Sequence, residues 1–251
     1  MNKSIQFDLT TIAAHLEGLE DTIIYKLIDR AQYAQNAVVY EPGKSGFAGN
    51  TGESLFGIRL RMHEEMDAQF GRFAVPEERP FNSGLPKARR IVNLPETGFA
   101  ISEYDLINLS REISTSYHAL VKTICKSGTD GQYGSSVEHD VYALQSIARR
   151  IHYGSLYVAE SKYRGDPVEY RKLITARDTA ALLSRLTRAE VEQKIIKRIR
   201  DKVASIQEQV NKNVRTLVDP EMIVEYYRDT IIPLTKEGEI RYLLARGEGN
   251  Q

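Results

Sequence analysis

Two cations on one helical segment are the residues of this sequence whose types and spacing point most directly to chemistry. Arg150 and Lys162 lie in the run Arg149–Lys162, which has the pattern of the second half of a long helix. Both fall where that helix should turn toward the protein interior. Because an unpaired buried charge is costly, each needs an anionic partner, and a ligand that carries carboxylates would supply one.

Two carboxylates on other helices border apolar stripes. Glu192 lies beside a stripe of isoleucine and valine, and Glu239 shares a helix face with Thr235, four residues earlier. Together with Arg150 and Lys162 they suggest a dry pocket of Arg, Lys and Glu side chains. Taken alone, each carboxylate also fits a rim or a solvated surface. A purely structural network of ion pairs among these four charged residues is the other alternative.

The elements that must position these side chains are helices. Apolar residues spaced three and four apart, with Gly and Pro at the breaks, predict an all-α protein with one domain over residues 1–251. Residues 72–99 contain several prolines and are expected to be irregular. The helices are predicted at about 8–34, 53–70, 102–126, 135–165, 168–175 and 178–185, then from 187, from 219–220, and from about 233 to 246.

Three short patterns predict helix starts. In a capping box the Ser or Thr side chain accepts a backbone N–H bond and the Glu reaches back, and both Ser135–Glu138 and Thr187–Glu190 have this pattern. Asp219 followed by Pro220 predicts an N-cap with proline at the first helical position. Pro233 is expected to kink the chain or to restart the last helix.

The composition argues against several classes of protein. Lys+Arg and Asp+Glu both number 34, whereas a nucleic-acid binder more often carries a basic excess. Cys125 is the only cysteine, so neither an intramolecular disulfide nor a cysteine-rich metal site is expected. The N-terminus lacks the apolar segment of a signal peptide, and no stretch of about 18 apolar residues is present to span a membrane. We therefore expect a cytoplasmic protein without metal, membrane or nucleic-acid partners.

Four segments, in this order, resemble the all-helical chorismate mutases of fungi and plants. They are an early helix, the loop after the second helix, the central helix and the final helix: Leu19–Glu41, Arg72–Phe81, Leu144–Lys162 and Ile231–Leu244. The segments span nearly the whole chain, and their combination is more specific than any one of them. The resemblance implies a multi-helix bundle that forms a homodimer.

The resemblance also implies a reaction, the Claisen rearrangement of chorismate to prephenate in phenylalanine and tyrosine biosynthesis, with no cofactor and no covalent intermediate. The substrate is a dianion whose carboxylates arginine holds in a bidentate way. Its reactive compact form must be selected from a flexible molecule. Negative charge gathers on the ether oxygen as the C–O bond breaks, so fixed donors aimed at that oxygen stabilise the transition state more than the ground state.

Carried over residue by residue, the resemblance implies a role for each candidate. Arg150 binds a carboxylate, and Lys162 donates to the ether oxygen and to a carboxylate. Glu239 also faces the ether oxygen, so it is expected to work protonated, a state that burial favours. Glu192 receives the substrate hydroxyl, and Thr235 supplies a hydroxyl beside it in the pocket.

Two positions depart from the family pattern in charge. The family carries an arginine on the first helix where this chain has Ala13, so one carboxylate ligand is missing. It carries an asparagine near the start of the Glu192 helix, where this chain has Arg188. Because Arg188 and Glu192 are four residues apart on one helix, we hypothesise that Arg188 binds substrate in place of the lost arginine. An ordinary surface arginine is the alternative.

A third departure is one extra residue in the central helix, within 155–157. Arg150 and Lys162 are 12 residues apart. At ~100° per residue, a step of roughly 11 residues returns to nearly the same face, and a step of 12 does not. A one-residue π-bulge, which Gly154 would ease, restores the facing. Without a bulge the role of Lys162 fails.

Fungal members of the family bind aromatic amino-acid effectors at a subunit interface. Arg72, Gly134 and Ser135 match part of that site, but a neighbouring arginine is Gly71 here and a hydroxyl position is Glu138. Because Ser135 and Glu138 are already explained by the predicted helix cap, we do not expect effector regulation to be intact.

Two alternatives to an active chorismate mutase remain open. A relative that acts on an altered substrate is suggested by Ala13 and Arg188. A helical protein that binds small anions or partners without catalysis is the second. The joint presence of five pocket residues argues against the second, because an idle pocket has no physical need for all of them.

Overall fold

A computed structural model describes residues 7–50, 52–208 and 210–248. All the regular secondary structure in these residues is helical. The α-helices are α1 Leu9–Arg30, α2 Leu55–Gln69, α3 Ser110–Ile124, α4 Tyr133–Tyr153, α5 Ala159–Gly165, α6 Pro167–Thr175, α7 Thr179–Leu186, α8 Ala189–Glu208, α9 Pro220–Tyr226 and α10 Ile232–Glu248. The π-helices are Gly154–Val158, between α4 and α5, and Tyr227–Ile231, between α9 and α10. Short 3-10 helices lie at Ala37–Tyr40, Arg72–Ala74 and Tyr104–Ile107. The all-α prediction is confirmed.

The main apolar core forms where α1 packs along α4. Ile23, Ile24 and Leu27 of α1 and Leu144 and Ile147 of α4 are fully buried there. Their spacing of three and four residues places them on one face of each helix. Burying each such side chain stabilises the fold by about 1.5–3 kcal/mol. Apolar residues of α3, α8 and α9 join the same core, so helices from both halves of the chain share it.

A second apolar cluster joins α5, α6, α7 and α10. Leu182 of α7, Tyr242 of α10 and Leu156 of the first π-helix are almost completely buried in it. Because α10 packs against α4, α5 and the π-helix between them, the side chains of α10 face those of the central helix across one interface. This interface carries most of the predicted pocket residues.

The predicted π-bulge in the central helix is confirmed. Residues Gly154–Val158 form a π-helix between α4 and α5. A π-turn takes one more residue than an α-turn, so the step of 12 residues from Arg150 to Lys162 covers the rotation of about 11. Both cations therefore keep the same facing.

The last α-helix restarts at Pro233 as predicted, since α10 begins one residue earlier, at Ile232, although the chain stays helical through this point. The second π-helix, Tyr227–Ile231, precedes α10 and was not expected from the sequence. A proline ring crowds the carbonyl four residues earlier, which here belongs to Asp229. Since Asp229 lies in the wider π-helix, the ring is accommodated without a break.

Of the three predicted helix caps, one forms as expected. The Asp219 carboxylate accepts a hydrogen bond from the Glu221 N–H, and Pro220 is the first residue of α9. The Ser135 box is wrong, since α4 already begins at Tyr133 and Gln132 precedes it without a side-chain cap.

The loop before α4 explains its early start. Asp130 accepts hydrogen bonds from the backbone N–H groups of Ala34 and Gln132, which fixes the chain ahead of Tyr133. Glu138 does not reach back to the helix start and contacts Arg59 instead, at 3.2 Å.

The Thr187 capping box is also wrong, although α8 does begin at Ala189, close to the expected position. The Thr187 hydroxyl donates to the Leu183 carbonyl oxygen at 2.8 Å and accepts from the Lys236 ammonium at 3.3 Å. Thr187 thus closes α7 and links it to α10. Within the part of the chain that the structure describes, no helix is both long and apolar enough to cross a membrane.

Candidate active site

A pocket of about 360 Å³ lies among α1, α4, α5, α8 and α10. This volume suits a small molecule. Apolar side chains of α1 and α8 form part of its wall, and charged side chains form the rest. The six residues predicted to act on or bind the substrate all line it: Arg150, Lys162, Arg188, Glu192, Thr235 and Glu239.

Arg150 is a buried cation with unused hydrogen-bond donors. The residue is 3% exposed, and its Nη1 donates to the Thr235 hydroxyl at 3.0 Å. Its Nε has no hydrogen-bond partner among the described residues, and none of their carboxylates forms an ion pair with it. Burial lowers the pKa of Arg150, and Glu20 and Glu239 only partly oppose this effect. An anionic ligand would supply the missing partner.

Thr235 orients this arginine. Its hydroxyl donates to the Ile231 carbonyl oxygen in the second π-helix at 2.7 Å. The hydroxyl oxygen is therefore left to accept from Arg150. The π-helix and the central helix are joined through this one side chain.

Lys162 and Glu239 form the polar centre of the pocket. The Lys162 ammonium lies 3.2 Å from a Glu239 carboxylate oxygen and donates to the Leu186 carbonyl oxygen at 2.8 Å. Glu239 is 4% exposed, and burial raises its pKa, with the charges of Lys162 and Arg150 opposing the shift. The direction agrees with the expected protonated state. The alternative of a purely structural ion-pair network is met only in part. The Lys162–Glu239 pair is present, whereas no carboxylate of the described residues pairs with Arg150.

Glu192 lies nearer the solvent, in an ion pair that the sequence did not suggest. The Lys236 ammonium is 2.8 Å from a Glu192 carboxylate oxygen, and the two side chains are 18% and 28% exposed. Lys236 was missed, although its place directly after Thr235 and three residues before Glu239 puts it on the flank of the same helix face. It holds Glu192 at the pocket wall.

Ala13 and Arg188 lie on different walls of the pocket. Ala13 belongs to α1, and Arg188 directly precedes α8. The side chain of Arg188 is exposed, as expected for a position at the pocket mouth. The structure therefore places a cation at the mouth of a pocket whose α1 wall has alanine at residue 13, and the exchange of roles between the two positions stays a hypothesis.

Glu20 and Arg198 form a second unexpected feature of the wall. Glu20 is fully buried, and its two oxygens accept from Arg198 Nε and Nη2 at 2.8 Å and 2.7 Å. Such a bidentate pair gives both oxygens of the Glu20 carboxylate a partner. The pocket lining holds two more cations than carboxylates. A protonated Glu239 raises the excess to three, which favours a dianion.

The residues matched to an effector site do not meet within one chain. Arg72 binds Asp67 and Gln145 at 2.7 Å each and Glu78 at 2.9 Å. Gln145 lies ten residues along α4 from Ser135, about 15 Å at the rise of an α-helix. Gly134 precedes Ser135 in the first turn of α4. A site that uses Arg72 and this helix end together would require a second chain.

The relatives found by sequence and those found by structure carry the same name. No family model matches the chain. The "Chorismate mutase" of Schizosaccharomyces pombe is 35% identical over 245 residues, which cover 95% of this chain and 96% of that protein. The crystal structure of the chorismate mutase of Candida albicans in complex with L-Trp has a TM-score of 0.90 at 35% identity, covering 100% and 96% of the two chains. The chloroplast chorismate mutase of Zea mays has a TM-score of 0.85 at 36% identity, covering 96% and 95%.

Proposed function

Because the chain belongs to the chorismate mutase family, we propose that it rearranges chorismate to prephenate in the pocket that contains Arg150. The enzyme is an isomerase of one substrate: a C–O ether bond breaks and a C–C bond forms within the same molecule. The observation that carries the proposal is Arg150, which is buried with unused donors at a pocket that has excess positive charge.

Arg150 is proposed to hold one carboxylate of the substrate. Its planar guanidinium presents donors in a fixed fork, which suits a carboxylate. Thr235 accepts one of these donors and thereby fixes the plane of the fork. Binding at this point selects the compact form of the substrate, so part of the entropy cost of the reaction is met before bond breaking.

Lys162 and Glu239 are proposed to act on the ether oxygen. The Lys162 ammonium donates one hydrogen bond to that oxygen, and the protonated carboxyl of Glu239 donates a second. Both side chains are already in place before the reaction, at 3.2 Å from each other. Fixed donors cost no reorganisation as charge develops, so they lower the barrier more than they tighten binding.

Glu192 and Arg188 are proposed to complete the contacts at the pocket mouth. Glu192 accepts the substrate hydroxyl, and its ion pair with Lys236 holds it in position. Arg188 binds the second carboxylate from the start of α8. This contact takes the place of one that Ala13 cannot make.

The test is an assay of purified protein with chorismate. We expect loss of the absorbance of chorismate, with prephenate as the product in equal amount. Protein in which Arg150 is replaced by methionine serves as the control for contaminating activity. Absence of prephenate, with properly folded protein, would reject the proposal.

We also propose a homodimer and a single domain over residues 1–251. Met62, Met66 and Phe70 lie four residues apart at one side of α2, and they are 47%, 48% and 69% exposed. A second copy would cover this apolar stripe. Light scattering during gel filtration should show twice the mass of the chain, and Phe70→Glu should lower it.

A cytoplasmic location is proposed from the chemistry of the lone thiol. Cys125 is free and buried, which fits a reducing compartment. Cell fractionation tests this point. A protein found in an organelle would overturn it.

Effector binding at Arg72, Gly134 and Ser135 stays a proposal that depends on the homodimer. The Candida albicans relative was crystallised with L-Trp, and AtCM1 was crystallised with tyrosine bound in its allosteric site. Because Arg72 is already held by Asp67 and Glu78, we expect a weak response. Titration of tryptophan and tyrosine into the assay measures it.

A further inference from the structure

Gly154 and Ser155, the first two residues of the first π-helix, interlock with α10. Gly154 lies against Thr235, and a Cβ added at residue 154 would come within 2.7 Å of Thr235 Cγ2. Ser155 is fully buried and lies against Gly238. A Cβ added at residue 238 would overlap Ser155 Oγ and lie 2.6 Å from Ser155 Cβ.

The contact with Ser155 therefore explains why residue 238 is glycine, which helix propensity does not. This residue lies inside α10, where glycine is less favourable than alanine. The side chain of Ser155 fills the space that any larger residue at 238 would need. Ser155 belongs to the π-helix Gly154–Val158, whose turn takes one residue more than an α-turn, so the wider turn and the missing side chain at residue 238 fit one another.

Ser155 also forms a hydrogen-bond contact with α10, the helix that carries Thr235 and Glu239 of the pocket. Its hydroxyl oxygen is 2.8 Å from the Ile151 carbonyl oxygen and 3.3 Å from the Thr235 carbonyl oxygen. Thr235 in turn orients Arg150, and Gly238 directly precedes Glu239. The contact thus sets where α10 lies along the central helix, and with it the distance between Lys162 and Glu239.

We propose that Ser155 and Gly238 are positioning residues for the rearrangement, an inference that rests on the proposed function. They touch no substrate and act through Thr235 and Glu239. Their close approach compensates for the extra residue of the central helix. A displacement of α10 here would shift Glu239 relative to Lys162, whereas Arg150 and Arg188 do not belong to α10 and would keep their donors at the pocket. Stabilisation of the transition state should therefore suffer more than binding.

A double-mutant experiment tests this proposal. Gly238→Ala should lower kcat about 30-fold or more and change KM less than threefold, because the new methyl group displaces Ser155 and α10. Ser155→Gly in the same chain removes the clash with Ser155 and leaves a 3.2 Å approach to Leu109 Cδ1, at the end of a flexible side chain. It should therefore restore kcat to within about threefold of the wild type. Gly18→Ala is the matched control, since a Cβ at that helical glycine meets no atom within 4 Å.

Three outcomes overturn the proposal. One is wild-type kcat in Gly238→Ala, and another is a loss of kcat that Ser155→Gly does not relieve. If Gly238→Ala does not fold, recovery of folded and active protein in the double variant supports the proposal, and failure to recover counts as the second of these outcomes. The third is a wild-type protein that leaves chorismate unchanged, which rejects the proposed function itself and this inference with it.

Discussion

Arg30 and Arg150 are two buried arginines on the helices that form the main core, and they differ in how their donors are used. Arg30 Nε lies 2.6 Å from an Asp140 oxygen, and its other nitrogens donate to backbone carbonyls after α1 and to the Tyr40 hydroxyl. Arg150 donates to Thr235 and keeps Nε without a partner.

The pKa values of the two arginines move in opposite directions. Burial lowers the pKa of Arg30, but Asp140 and the neighbouring polar groups raise it by more, so the net shift is upward. For Arg150 burial prevails and the net shift is downward. The partners of Arg30 belong to the protein, so this arginine stabilises the fold. Arg150 keeps donors without a partner and can offer them to a ligand.

Arg150→Met should give the largest effect and sharpen the comparison on the ligand side. We expect kcat/KM to fall on the order of 10⁴-fold, about 5.5 kcal/mol of lost transition-state stabilisation. The melting temperature should stay equal or rise, because a buried cation without a carboxylate partner is removed. Steady-state kinetics and calorimetry check both parts. A large loss of stability would place Arg150 in the same class as Arg30.

Arg30→Met should give the opposite result. It leaves Asp140 buried without its partner, at a cost of about 3–5 kcal/mol in the free energy of unfolding. The activity of the molecules that remain folded should be unchanged. Denaturant unfolding of this variant and of Arg30→Met/Asp140→Leu is the measurement. The double variant should recover stability, and failure to recover would break the comparison.

Glu239 extends the comparison to buried carboxylates, since Glu20 is closed by Arg198 and Glu239 faces the pocket. The folded-state pKa of Glu239 is raised, so its protonated form is present at low pH and is lost as pH rises through that pKa. We expect kcat to fall over the same range. Glu239→Gln cannot lose a proton, so its rate should no longer fall. Glu239→Ala should lower kcat about 10²-fold.

The control for Glu239 is a carboxylate at the pocket mouth. Glu192→Gln should affect binding of the substrate hydroxyl and leave the fall with rising pH in place. If the pH dependence of Glu239→Gln matches that of the wild type, the titrating group is not Glu239.

Arg188→Ala should have the smallest effect, because this side chain is exposed and solvent screens its charge. We expect KM to rise about 10-fold, with little change in kcat. Lys197→Ala, on the same helix outside the pocket, is the matched control. Adding Ala13→Arg should restore KM if a cation on either wall serves the same carboxylate. An unchanged KM in Arg188→Ala would leave it an ordinary surface residue.

The central helix shows how far the sequence goes in predicting this fold. The 12-residue step between Arg150 and Lys162 required an extra-wide turn, and the structure has one at Gly154–Val158. The second π-helix had no such pair of residues to reveal it. Pro233 indicated where the last α-helix begins, but the π-helix before it depends on how residues 227–231 pack.

Local patterns predicted the ends of helices less well. Asp219 caps α9 as expected, and its carboxylate accepts from the Glu221 N–H. Thr187 fails to cap α8, because its hydroxyl bonds with Leu183 and Lys236 instead. A capping pattern gives what a side chain is able to do, and tertiary contacts decide what it does.

The pocket residues were predicted through resemblance, and their partners were not. Lys236 and Arg198 look like surface charges in the sequence, because each sits among other charged residues. Only the packing of α8 against α1 and α10 brings them to Glu192 and Glu20.

The most direct measurement is a crystal structure of this protein with prephenate bound, since the product carries the same two carboxylates as the substrate. We predict one carboxylate within about 2.9 Å of the Arg150 guanidinium nitrogens, in the pocket beside Lys162 and Glu239. Prephenate bound elsewhere, or Arg150 still bonded to Thr235 alone, would contradict the claim that its open donors exist to hold the ligand.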